Sequence, residues 1–250
     1  MILPLVISAA AVLITFIIAS IQDIKDRSVY RVTWYPAAAV GLICVIIYWA
    51  DSLPENLPVL IISLVFAALM AFFAFFGLFG KADAKALILL SVTVPVTPCA
   101  AYIFPSLAVS SLVNAGVLVL LFAIICLIYN IVRKNHGPLS LMCSGIPVRG
   151  DSILKYHGFI AEEVTETEQG IIKTRMKRGA HASALKYQTP VMIKVLREHP
   201  DTYAAEIAGY AKCDKIWISF GLPLLLPLTI GFIFALFGVS VVDIILGLIL

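Results

Sequence analysis

Runs of about twenty apolar residues recur along this chain, and each is long enough to cross a ~30 Å hydrocarbon core as a helix at 1.5 Å per residue. They are Ile2–Ile21, Val32–Trp49, Leu57–Phe79, Ala86–Phe104, Leu107–Val132 and Ile216–Phe237. Of the 250 residues 61% are hydrophobic and the mean hydropathy is +1.02, more apolar surface than a water-soluble domain of this length can bury. The expected fold is therefore a polytopic α-helical membrane protein. It has six transmembrane helices and a small α+β domain between helices five and six. The corresponding divisions are 1–132, with five spans; 133–215, polar; and 216–250, with the sixth span and an apolar tail.

Charge placement orients the spans. All 18 Lys and Arg residues fall at Lys25–Arg31, Lys81–Lys85 and Arg133–Lys215, and none lies at 51–56, 105–106 or either terminus. With six spans those three regions share one side, which the positive-inside rule makes cytoplasmic, so both termini face outside. The first run has neither a basic flank nor a small-residue cleavage site, and reads as a retained span rather than a signal peptide. Pro95, Pro98, Pro223 and Pro227 predict kinks in the fourth and sixth spans. In the polar region, 158–161 and 171–176 read as strands and 191–197 as a helix.

Several chemistries find no carrier. There is no phosphate-binding glycine loop, no H-E-x-x-H and no nucleic-acid module. The five cysteines are scattered singly and the four histidines lack ligand spacing, so no metal or other cofactor is expected. Lys173, Arg175, Lys177 and Arg178 form a basic cluster that reads as a solvated face, with contact to anionic headgroups as the other reading. Arg149-Gly150-Asp151 resembles an adhesion tripeptide by chance. Asp243 has no assigned role.

Two acids stand apart. Asp23 follows the first span, and Asp83 lies in the charged island Gly80-Lys81-Ala82-Asp83-Ala84-Lys85 before the fourth. Taken singly, Asp23 is a solvated flank and Asp83 a helix N-cap, while Gly80 is a helix C-cap. Taken together, the topology sets both acids at the same ends of separate spans. Two carboxyls held close share one proton, so the ionised member can deprotonate water while the protonated one polarises a carbonyl.

Gly80-Lys81-Ala82-Asp83, with Asp23 after the first span, resembles the signature of the GxGD aspartic proteases, in the branch of the type IV prepilin and archaeal preflagellin peptidases. Ala82 replaces the commoner glycine. The resemblance implies an aspartic endopeptidase that removes class III signal peptides, with basic leaders, from archaellin- or pilin-like precursors at the cytoplasmic face. Asp23 and Asp83 would be catalytic, and Gly80, Lys81 and Ala82 would form the motif that positions substrate. Implied partners are those precursors and membrane lipids, with no nucleic acid. The alternatives are a small transporter, against which the lack of a mid-span acid in the first five spans counts, and an inactive scaffold.

Overall fold

The computed structural model describes residues 2–26, 28–96, 106–167, 170–175, 192–221 and 224–241. The chain divides into two compact units, residues 1–120 with 223–250, and residues 121–222.

In the first unit, helix α1 spans Leu3–Asp26. Its buried face (Leu5, Ala9, Val12, Phe16, Ala19) repeats every three or four residues, while Ile7, Ile14, Ile17 and Ile21 on the other side are exposed. A helix apolar all round is what a lipid-facing span requires. The inner face is lined with small residues, which lets neighbouring helices come close. Ser8 Oγ donates to Thr93 O at 2.7 Å. A Cβ on Gly41 would stand 2.6 Å from Thr93 Cβ and 3.0 Å from Ser8 Oγ, so this crossing tolerates only glycine.

A 3-10 turn, Arg31–Trp34, leads into helix α2, Tyr35–Phe75. The helix continues through 51–56, where the sequence predicted a loop. Proline keeps helical φ and removes a single amide donor, so Pro54 and Pro58 interrupt the hydrogen-bond ladder without ending the helix. At its C-terminus Gly77 takes φ +70°, Leu78 N–H donates to Phe73 O (2.9 Å) and Gly77 N–H to Ala74 O (3.2 Å). This is a Schellman cap. The helix-ending glycine is thus Gly77, and the C-cap reading of Gly80 is corrected.

Helix α3, Lys81–Thr93, begins five residues before the expected fourth span. It stops at Val94, which precedes Pro95 and so is pushed out of the α region. Residues 97–104 of that expected span lie outside the described residues. Helix α4 occupies Leu107–Val132, the range expected for the fifth span.

The second unit contains a short helix α5 (Leu139–Met142), strands β1 (Gly145–Val148), β2 (Phe159–Ile160), β3 (Glu162–Thr167) and β4 (Gly170–Arg175), helices α6 (Ile193–Glu198) and α7 (Ala204–Ala211), and strand β5 (Ile216–Ser219). The sheet order is β1-β5-β2, all antiparallel, and β3-β4 form a separate antiparallel ribbon. The core joins Val148, Ile153, Ile160, Ile193, Leu196, Ile216 and Ile218. Within this unit Asn130 Nδ2 donates to the carbonyls of Cys126, Met142 and Gly145 at 2.8–3.0 Å.

Strand β5 corrects the sequence reading, which opened the sixth span at Ile216. Both its faces are buried: Ile216 and Ile218 enter the core above, while Trp217 packs on Leu141 and Ala161. A strand covered on both faces is continuously apolar, and hydropathy does not separate it from a helix. The apolar helix that follows, α8, covers only Leu225–Leu236 and belongs to the first unit. Among the described residues four segments are long and apolar enough to cross a membrane: Leu3–Asp26, Arg31–Ala50, Leu57–Phe75 and Leu107–Val132. Against the expected six, α3 and α8 are shorter than the roughly 20 residues a crossing needs.

Helix α8 is locked to α4 inside the first unit. A Cβ on Gly231 would stand 2.6 Å from Ser111 O and 2.9 Å from Ala115 N. Beside it, buried Asn114 donates to Gly231 O and Val239 O and accepts from Val241 N.

Candidate active site

Asp23 lies in the last turn of α1 and Asp83 in the first turn of α3, both half-buried and both in the first unit. Asp83 lies outside the four long apolar segments. An acid in the first turn of a helix is favoured by the peptide dipoles. Here a second constraint acts on it. Gly80, the N-cap of α3, has φ −59° and ψ 132°, a conformation open to any residue. What requires glycine is space: a Cβ there would stand 3.3 Å from Asp83 Cγ and within hard contact of Oδ2. The carboxyl of Asp83 is folded back over the bare Cα of Gly80.

Burial, and after it the negative charge of Asp23, push the Asp83 carboxyl up from the ordinary 3.8 to about 6. The two acids that topology assigned to one face are therefore electrostatically coupled. Up to about pH 6 the Asp83 carboxyl keeps its proton, and a carboxylic acid beside a carboxylate is a general acid and a general base in one site.

The other motif residues have different surroundings. Lys81 and Lys85 are exposed, four residues apart on α3. Ala82 is half-buried and packs on the apolar cluster that contains Phe16, Leu87 and Leu90. Beyond the expected residues, Gln22 fixes the chain as it leaves α1. Its Oε1 accepts from Tyr30 N (3.2 Å) and Thr33 Oγ1 (3.0 Å), which holds the 3-10 turn against the helix end carrying Asp23. Next to Thr33, Trp34 is buried, and its indole N–H has no hydrogen-bond partner among the described residues. The amide beside Asp23 was the only sign of this in the sequence.

The weaker sequence features have structural accounts or fall elsewhere. In Arg149-Gly150-Asp151 the charged side chains pair with each other, and Gly150 N–H donates to Cys213 O at 3.1 Å. A Cβ on Gly150 would collide with the carbonyl of Tyr210, so packing explains this glycine. Lys173 and Arg175 lie on β4, whereas Lys177, Arg178, His181 and Asp243 lie outside the described residues. Among the described residues no group of three or more His, Cys, Asp or Glu could hold a metal ion.

Two family models match the chain. Residues 10–132 match the type IV leader peptidase family, and residues 137–238 match the archaeal peptidase A24 C-terminus type II. No curated protein matches it. The first match contains both Asp23 and Asp83, and the second follows it in order, so the two together account for the greater part of the sequence. The chain belongs to the type IV leader peptidase family, the peptidases of prepilin and preflagellin type.

Proposed function

We propose that this peptidase is a membrane-embedded aspartic endopeptidase that uses Asp23 and Asp83 to remove basic leaders from archaellin- or pilin-like precursors at the cytoplasmic face. The observation that carries the reading is the coupling of the two acids: the charge of Asp23 helps hold a proton on Asp83. Asp23, ionised, takes a proton from water. Asp83, protonated, donates to the scissile carbonyl, and water adds to the carbonyl carbon. Proton return to the leaving amine then completes hydrolysis.

The charge pattern supports the location. Asp23 and Asp83 stand beside the basic groups Lys25–Arg31 and Lys81–Lys85, where the positive-inside rule sets the cytoplasm. There the junction between a precursor's basic leader and its hydrophobic segment meets water. Gly80 serves the site by leaving room for the Asp83 carboxyl, and Lys81 and Ala82 complete the substrate-positioning motif.

The test is cleavage of an archaellin precursor by membranes containing wild-type protein, Asp23→Asn or Asp83→Asn. Wild type removes the leader and neither variant does, although both insert normally. Cleavage by either variant refutes the pair.

A further inference from the structure

Asp23 needs a fixed position, yet it sits in the last turn of a helix, where fraying is normal. One turn earlier, Ser20 Oγ lies 2.8 Å from Thr229 Oγ1 of α8, and both residues are buried. Thr229 Oγ1 also approaches Leu225 O (2.8 Å), its own helix's carbonyl, and Phe16 O (3.3 Å) on α1. Thr229 has one hydroxyl proton. When that proton goes to Leu225 O, Ser20 O–H donates to Thr229 Oγ1. Beneath this pair the rings of Phe16 and Phe232 meet edge-on, with centroids 5.5 Å apart. The final turns of α1 are thus clamped to α8 by hydroxyls above and rings below, immediately before the acid.

From this geometry we propose that Ser20 and Thr229 form a positioning pair for Asp23, setting the rotation of the last turn of α1 relative to α3. The proposal rests on the reading of Asp23 as the catalytic base. It assigns no contact with substrate to either hydroxyl. Their role is mechanical, and it is separable from bulk packing because Val is isosteric with Thr and lacks only the hydroxyl.

A rotation of α1 changes both the placement of Asp23 and its electrostatic hold on Asp83, so two readouts move together. The charged side chains on the elements around Asp23 are Lys25 and Asp26 on α1, Arg31 on the 3-10 turn, and Lys81, Asp83 and Lys85 on α3. In the sequence of α2 only Asp51 and Glu55 are charged, and α8 carries no charge. Removing a hydroxyl from Ser20 or Thr229 therefore alters no charge, and a shifted pH profile reports altered geometry.

The experiment measures kcat, KM and the pH profile of detergent-solubilised full-length wild type, Thr229→Val, Ser20→Ala and Thr229→Ser on an archaellin precursor, with Asp23→Asn as reference. The expected result is a fall in kcat of about 10- to 100-fold for Thr229→Val and Ser20→Ala, the scale of a slight misplacement of a catalytic group. KM stays within about twofold, the basic limb moves down by roughly half a pH unit, and Thr229→Ser restores both. Unchanged kcat and an unmoved basic limb in the two hydroxyl-free variants, with Asp23→Asn inactive, overturn the positioning role alone. Cleavage by Asp23→Asn overturns both this role and the assignment of the base.

Discussion

The carboxyl of Asp83 fills the place that a side chain at residue 80 would need: a Cβ on Gly80 would lie 3.3 Å from Asp83 Cγ. The backbone at Gly80 would accept alanine, so Gly80→Ala perturbs the acid and little else. We expect this variant to melt within about 0.5 kcal/mol of wild type and to cleave precursor roughly 10- to 100-fold more slowly. A melt in detergent and a single-turnover assay check the two halves.

Gly77 predicts the opposite pattern. It holds φ +70°, and a Cβ there would meet nothing within 4 Å, so alanine suffers backbone strain without a clash. Gly77→Ala should cost about 1–2 kcal/mol of stability while leaving the rate per folded molecule unchanged. Equal loss of activity in the two glycine variants contradicts the distinction.

Asp83 makes stability depend on pH with a definite sign. Its folded value, about 6, lies above the ordinary 3.8, so burial of the neutral acid is fully tolerated below pH 3.8. As pH rises through about 6, the folded protein must either hold the proton or bury the charge, and stability falls. Asp83→Asn should therefore raise stability above neutrality, by on the order of 2–3 kcal/mol at most, and the gain should vanish near pH 4. Asp23→Asn should give a smaller gain through the same coupling. Melting curves of the three proteins between pH 4 and 8 measure this.

With Asp83 as the acid, cleavage by wild type should decline as pH rises through about 6, following loss of its proton. Asp23→Asn, expected to be inactive at every pH, would not report that limb. A kcat profile that rises steadily from pH 5 to 8 contradicts the assigned proton.

Asn114 offers a test remote from the acids. Its amide donates to Gly231 O and Val239 O and accepts from Val241 N, all backbone groups. Asn114→Leu should destabilise the protein by roughly 1–3 kcal/mol, and denaturant unfolding in detergent reads this directly.

Much of the membrane part was legible because a span is a composition signal: α4 could be bounded by eye, and α1 overran its apolar run only by one polar turn. The two acids could be singled out as candidates because each stands beside a basic loop at the end of an apolar run, a pattern readable without any knowledge of packing. What escaped depends on pairing across the chain. Ser20 and Thr229 are 209 positions apart, and each alone is an unremarked hydroxyl in an apolar run. The role of Gly80 was hidden because its backbone angles are ordinary and its purpose is the space it leaves. Strand β5 was misread because burial on both faces erases the alternation by which strands are recognised.

That strand also bears on how the protein is made. From Ile216 to Leu236 a membrane-insertion machinery meets an apolar stretch interrupted by only a few small polar residues and prolines. The four residues of β5 stay out of it by pairing with β1 and β2. Both partners lie upstream, so they have left the ribosome before β5 emerges. The order of synthesis thus makes β1 and β2 available before their central strand, and without that pairing Ile216–Ser219 is simply the start of one continuous apolar stretch.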